Sequence, residues 1–217
     1  MGAAVAIADL NHEKATDTAA ELDGETRVIA VETDVTDEAS VRRLVETVTD
    51  RLGPIDVLLN NAGIVENAPA EETTLDAWQR VLAVNLDGVF LCAKHVGRQM
   101  LDRGQGRIVN VSSMSAFDVN VPQKQASYNV TKAGVSMLTK SLAVEWADRG
   151  VRVNAIAPGH MRTELVDEAL ANNPEMEDTW IENTPMGRLG QPKELRELAV
   201  YLASDASPYM PGTPGAM

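Results

Sequence analysis

The sequence predicts an α/β protein: a parallel sheet with helices on both faces. Three observations carry this. Strand-like runs alternate with helix-like runs along the chain. The strand-like runs are continuous Val/Ile/Leu/Ala stretches without polar alternation, as in strands buried on both faces. Aliphatic residues dominate, and aromatics make up only 4% of the composition. The 217 residues suffice for one domain with its own core. With no repeat, linker or low-complexity segment, a single domain over residues 1–217 is expected.

Each element follows from local chemistry. Ala3–Ala8 reads as a first strand, closed by Asp9. Asn11–Leu22 reads as a helix and Arg27–Val31 as a strand. Asp37 is placed to N-cap a helix over Asp37–Leu52, which Gly53-Pro54 ends. Ile55–Asn60 is the next strand, running into Ala62-Gly63. Thr74–Arg103 reads as one long helix with more apolar residues than a single stripe needs, which suggests contact with another subunit. The run "RGQGR" at 103–107 is a turn, without the third glycine of a phosphate loop. Arg107–Ser112 is a strand ending in serines; Tyr128–Arg149 is a helix, again apolar on more than one face. Val151–Ala157 is a strand ending at Pro158-Gly159, and Glu164–Thr184 is helical. At the end, Pro208, Pro211 and Pro214 make a further strand improbable.

Composition excludes several classes. The net charge of −13, from 32 acidic and 19 basic residues, disfavours nucleic acid as a partner. Six of the basic residues are lysines, which suits a salt-adapted protein as well as an ordinary acidic enzyme. The apolar runs fall short of the ~20 residues that cross a bilayer, so no membrane is expected, and the N-terminus does not read as a signal peptide. A single cysteine, Cys92, fits a reducing cytoplasm. Three histidines and no paired CxxC or HExxH argue against a metal.

The sharpest chemical signal is "SYNVTKAG". Tyr128 and Lys132, four apart, share a helix face. A free tyrosine has a pKa near ~10, and a nearby ammonium should lower it toward a usable proton acceptor. YxxxK alone is common by chance. Here it joins three strand ends, where ligands of open α/β sheets bind. "RIVNVSSMS" supplies the hydroxyls of Ser112, Ser113 and Ser115, "DVLLNNAG" a small Ala62-Gly63 pair, and "VNAIAPGHMRT" the turn at Pro158-Gly159.

Taken in order, "AIADLN", "TDVTD", "NNAG", "VNLDGVF", "IVNVSS", "YNVTK" and "VRVNAIAPGHMRT" resemble the short-chain dehydrogenase/reductase family from residue 2 to about residue 207. The resemblance implies a Rossmann-type doubly wound parallel sheet. It implies that Tyr128 exchanges the proton, Lys132 lowers its pKa and binds the nicotinamide ribose, and Ser113 holds the substrate oxygen. Asn85 would kink its helix and hold a water of the proton relay. Asp34 and Val35 would flank adenine, with Asn61, Ala62 and Gly63 along the cofactor. Pro158, Gly159, Met161 and Thr163 would pack round the nicotinamide. Asp9 would accept from the adenosine ribose and repel a 2′-phosphate, favouring NAD over NADP. The partner would be a small-molecule alcohol or ketone, and the assembly a homodimer or homotetramer. Ser113 and Tyr128 stand 15 apart, and "NVPQKQASYN" between them is similar to relatives that oxidise polyols and sugars. Glu164–Thr184 would cover the substrate, with His160 in the pocket wall.

The chain departs from the family in two places. The family's first strand, glycine loop and first helix have no counterpart before "GAAVAIAD", so the expected sheet lacks a central strand. Two unpaired edges, or a misfitted junction, should result. The ending "PYMPGTPGAM" also differs from the apolar strand and glycine pair of relatives. Two other readings therefore stand beside an NAD-dependent secondary-alcohol oxidoreductase. One is a non-catalytic remnant or interaction protein; the other is an acyl-thioester ketoreductase.

Overall fold

In this computed structural model, residues 2–22, 26–212 and 214–216 are described. The elements run β1 (Val5–Asp9), α1 (His12–Leu22), β2 (Val28–Glu32), α2 (Glu38–Leu52) and β3 (Val57–Asn60). Then come α3 (Leu75–Leu82), α4 (Gly88–Arg103), β4 (Gly106–Val111), α5 (Ala126–Trp146) and β5 (Val151–Ala157). The chain closes with α6 (Glu164–Asn172), α7 (Glu175–Glu182), α8 (Arg196–Ala203) and β6 (Pro214–Ala216). All strand pairs are parallel, as expected of the α/β class.

The strands form two sheets, β1–β2 and β3–β4–β5–β6. β1 and β3 do not pair, so two free edges stand where the sequence leads one to expect them. Apolar side chains are left in the open on both strands: Val5 is 37% exposed and Leu59 52%. The main core lies under β4 and β5. There Met100 of α4 and Leu142 and Ala143 of α5 pack against Ile108, Val151 and Val153. The surplus apolar residues of α4 and α5 face outward instead; Phe90, Val130, Met137 and Val144 are all exposed.

Turn chemistry positions the body. The Asp37 carboxylate accepts from the N–H groups of Ala39 (2.9 Å) and Ser40 (3.1 Å), capping α2. Gly150, at φ +79°, turns the chain from α5 into β5, where an added Cβ would run into the carbonyl of Gly104.

Four expectations need correction. The helix over 74–103 is not continuous: at Asn85, where the resemblance implies a kink, a π-helical segment, Ala83–Asp87, interrupts it, and the Gly88 N–H reaches back five residues to the Ala83 carbonyl. The helical stretch after Glu164 is two helices, divided ahead of Pro174, whose ring does not fit a helix interior. A helix that the sequence reading missed, α8, follows a 3₁₀ turn over Pro192–Leu195. A strand does form near the C-terminus: Ala155 pairs with Pro214 and Ala157 with Ala216. Pro214 is tolerated because it opens an edge strand, where no ladder donor is required of it. Thr213 and Met217 of that run lie outside the described residues.

Candidate active site

The carboxyl ends of β3, β4 and β5 open on one cleft of about 380 Å³. β4 brings Ser112 and Ser113 to its rim, and parallel pairing with β5 sets Pro158-Gly159 alongside. α5 runs beneath, with Tyr128 and Lys132 one turn apart on the face that meets the strand ends.

Ser112 is structural: its hydroxyl donates to the Lys132 carbonyl (3.0 Å) and meets Ser136 Oγ at 2.7 Å, fastening β4 to α5. Ser113 is turned toward the cleft. Its Oγ accepts from the Ser115 N–H and donates to Ser115 Oγ, both at 3.1 Å, and it also bonds the Tyr128 hydroxyl. Lys132 is 4% exposed. Its ammonium lies 5.5 Å from the centre of the Tyr128 ring and donates to the Val111 carbonyl at 2.8 Å.

The electrostatics correct one expectation. Burial raises the Tyr128 pKa above the usual phenol value, against the opposing pull of the Ser113 bond. Burial likewise lowers Lys132, to about 8. In this dry setting both groups shift toward their neutral forms, so the depression of Tyr128 by Lys132 is not realised in the protein alone. His160 is also lowered by burial, to about 4, and stacks on Trp180 at 4.5 Å. It is therefore a neutral wall residue at ordinary pH.

Asn85 sits in the π segment, fully buried. Its Oδ1 accepts from the Ile64 N–H (2.8 Å), while Nδ2 donates to the Ile64 carbonyl (2.8 Å) and to Thr131 Oγ1 (3.3 Å). It thus clamps the loop after β3 onto α5.

The cleft gathers Asn61, Gly63, Ser113, Tyr128, Lys132, Pro158, Gly159, Met161 and Thr163, as the sequence led one to expect. Asp9, Asp34, Val35 and Ala62 stand off its wall. Asp9 is exposed at the end of β1 and accepts from the Asn11 N–H (2.8 Å). Asp34 accepts from the hydroxyl (2.7 Å) and N–H (2.8 Å) of Thr36, which together hold its carboxyl low. Val35 packs on Gly88, leaving no room there for a Cβ. Asn120, Gln123, Gln125 and Trp180 also line the cleft and went unnamed at the sequence level. For the three amides the signal was the run "NVPQKQ", read only as a whole; Trp180 lies in the stretch 164–184, read only as a cover for the substrate.

The residues fit a nicotinamide dinucleotide. Gly63 presents bare backbone to the cleft; an added Cβ would sit in ordinary contact with Asn85 Oδ1 (3.5 Å) and Lys132 Nζ (3.6 Å) and take up space beside them. Lys132 has three N–H donors and one acceptor among the described residues, which leaves donors for ribose hydroxyls.

Comparisons with known proteins agree with this fold. A family profile described as "Enoyl-(Acyl carrier protein) reductase" matches residues 1–214. The chain is 45% identical over 187 residues to galactitol 2-dehydrogenase (L-tagatose-forming) of Cereibacter sphaeroides, covering 86% of this chain and 71% of that protein. A short-chain type dehydrogenase/reductase from Mycobacterium marinum superposes with TM-score 0.95 at 38% identity, over 100% of this chain and 84% of that one. A gluconate 5-dehydrogenase from Burkholderia cenocepacia, solved with NADP and tartrate, gives TM-score 0.91 at 38% identity over 100% of this chain and 84% of that one.

Proposed function

The chain belongs to the short-chain dehydrogenase/reductase family, and on that premise we propose that it interconverts a secondary alcohol of a polyol or sugar with its ketone, using NAD. The observation that carries the reading is the convergence of Ser113, Tyr128 and Lys132 on one cleft at three parallel strand ends.

When bound, the nicotinamide supplies the hydride acceptor for oxidation and the donor for reduction. The protein's own groups handle the oxygen and its proton. Ser113 orients the reacting oxygen by hydrogen bonding. Tyr128 takes the hydroxyl proton in oxidation and returns it in reduction. Lys132 holds the ribose and adds positive charge beside the phenol, which works against the burial that raises Tyr128. Asn85 keeps the loop over 60–64 in place behind the cofactor, and its place in the π segment supports a role in leading protons away.

A polyol or sugar substrate is supported by the name of the galactitol 2-dehydrogenase relative and by the amide-lined wall of the cleft. NAD is favoured by Asp9, whose carboxylate suits ribose hydroxyls and repels a 2′-phosphate. The gluconate dehydrogenase neighbour was solved with NADP, so within the proposal the choice of NAD rests on Asp9.

The test is formation of NADH from a panel of polyols by the wild type and by Tyr128→Phe. Loss of a general acid–base group should cost about 10²- to 10⁴-fold in kcat. A mutant as active as the wild type would remove Tyr128 from the mechanism.

A further inference from the structure

We propose that Gln123 is a specificity-determining residue, donating a hydrogen bond to a hydroxyl of the substrate other than the one oxidised. This rests on the polyol reading above.

The argument begins with Trp180. Its indole Nε1 lies 3.0 Å from Gln123 Oε1. An indole N–H only donates, so the atom of Gln123 that faces it must be the carbonyl oxygen. That fixes which way round the amide stands and turns Nε2, with two donors, the other way. No hydrogen bond among the described residues uses those donors. Gln123 lines the same cleft as Ser113 and Tyr128, so the free end belongs to the substrate space.

Both partners are held. Trp180 is 5% exposed, stacked on His160 with 13° between the rings and packed with Leu170, Met176 and Leu189. The loop that carries Gln123 is pinned on either side. Asn120 Nδ2 donates to Ser115 Oγ at 2.6 Å, and Gln125 Nε2 donates to the same oxygen at 3.3 Å and to Asn129 Oδ1 at 3.0 Å. The donor pair is therefore pre-oriented. A substrate with an oxygen in reach satisfies it; a monohydric alcohol leaves it facing carbon.

The experiment compares a tetritol with 2-butanol in the wild type, Gln123→Leu and Trp180→Phe. The ratio of kcat/KM for tetritol over 2-butanol should fall about five- to tenfold in Gln123→Leu, with the loss in the tetritol KM. Trp180→Phe frees the amide to flip but keeps its donors, so it should lose less selectivity than Gln123→Leu. Equal selectivity in wild type and Gln123→Leu overturns the proposal. An equal loss in both variants also overturns it, because Gln123 would then act only as a latch for α7. Saturation-transfer NMR of tetritol on the protein alone gives a readout without turnover. The transfer should weaken in Gln123→Leu, and an unchanged signal counts against the proposal. Failure of the polyol reading shows separately, as a wild type that turns over neither alcohol with NAD or NADP.

Discussion

The two sheets of this protein use similar residues and reach different ends. β5, Val151–Ala157, has six of its seven residues buried, with Val151 and Val153 at 0% exposure. β1, Val5–Asp9, is an aliphatic run of the same kind, yet none of its residues is buried. The difference lies in neighbours. β5 has a strand on each side and the core formed by α4 and α5 against it. β1 has β2 on one edge only. A strand's apolar composition states what it is able to bury; its neighbours decide what is buried. The chemistry follows the same division. The groups proposed to handle the proton, Ser113 just after β4 and Tyr128 and Lys132 on α5, border the well-packed sheet, and the carboxylate proposed for the adenosine ribose ends a strand of the open one.

The same substitution on the two sheets should expose the contrast most strongly. Val153→Ala removes two methyl groups from a closed core and should cost about 2–3 kcal/mol. For a chain of this size that lowers Tm by roughly 5–10 °C. Val5→Ala acts on a residue 37% exposed and should cost less than about 1 kcal/mol. Thermal unfolding of the two variants checks this, and equal shifts would mean that β1 is held as firmly as β5.

Two lysines sharpen the comparison at the level of charge. Lys132, closed in beside β4, is lowered to about 8. Lys14, on α1 of the open half, is raised above its ordinary value by its bond to Glu164 at 2.9 Å. Between pH 8 and about 10 the folded state binds fewer protons at Lys132 than the unfolded chain does. The cost of burying that ammonium is thus fully present below pH 8 and is relieved as pH rises. Carbon-13 methylation of the lysines followed by NMR titration should find the Lys132 resonance moving near pH 8 and that of Lys14 moving last. Coincident titrations would contradict the assigned burial.

Much of this was legible in the sequence because strand ends and apolar runs are local signals. β5 ending at Pro158-Gly159, and Tyr128 above Lys132, needed only spacing. The break at Asn85 came only from the resemblance, which implies a kink there; the apolar pattern of 74–103 does not show it, since a shift from i−4 to i−5 bonding leaves that pattern nearly unchanged. α8 was missed because "RELAVYLA" is eight residues long, too short for periodicity to separate helix from strand. The Tyr128 pKa was misjudged because charge proximity is visible in spacing while burial is not. The role of Gln123 needed a partner, Trp180, 57 positions away.

The central claim is that strand ends on both sheets serve one dinucleotide. Hydrogen–deuterium exchange of the full chain with and without NAD tests it most directly. The account predicts slower exchange at two separate places: the backbone after β1, at Asp9–Asn11, and the cleft floor at Asn61–Gly63 and Ser112–Ser113. NADP should protect the second place more than the first. Protection of the cleft floor alone by NAD would contradict the role of Asp9, and no protection at either place would contradict the cofactor site itself.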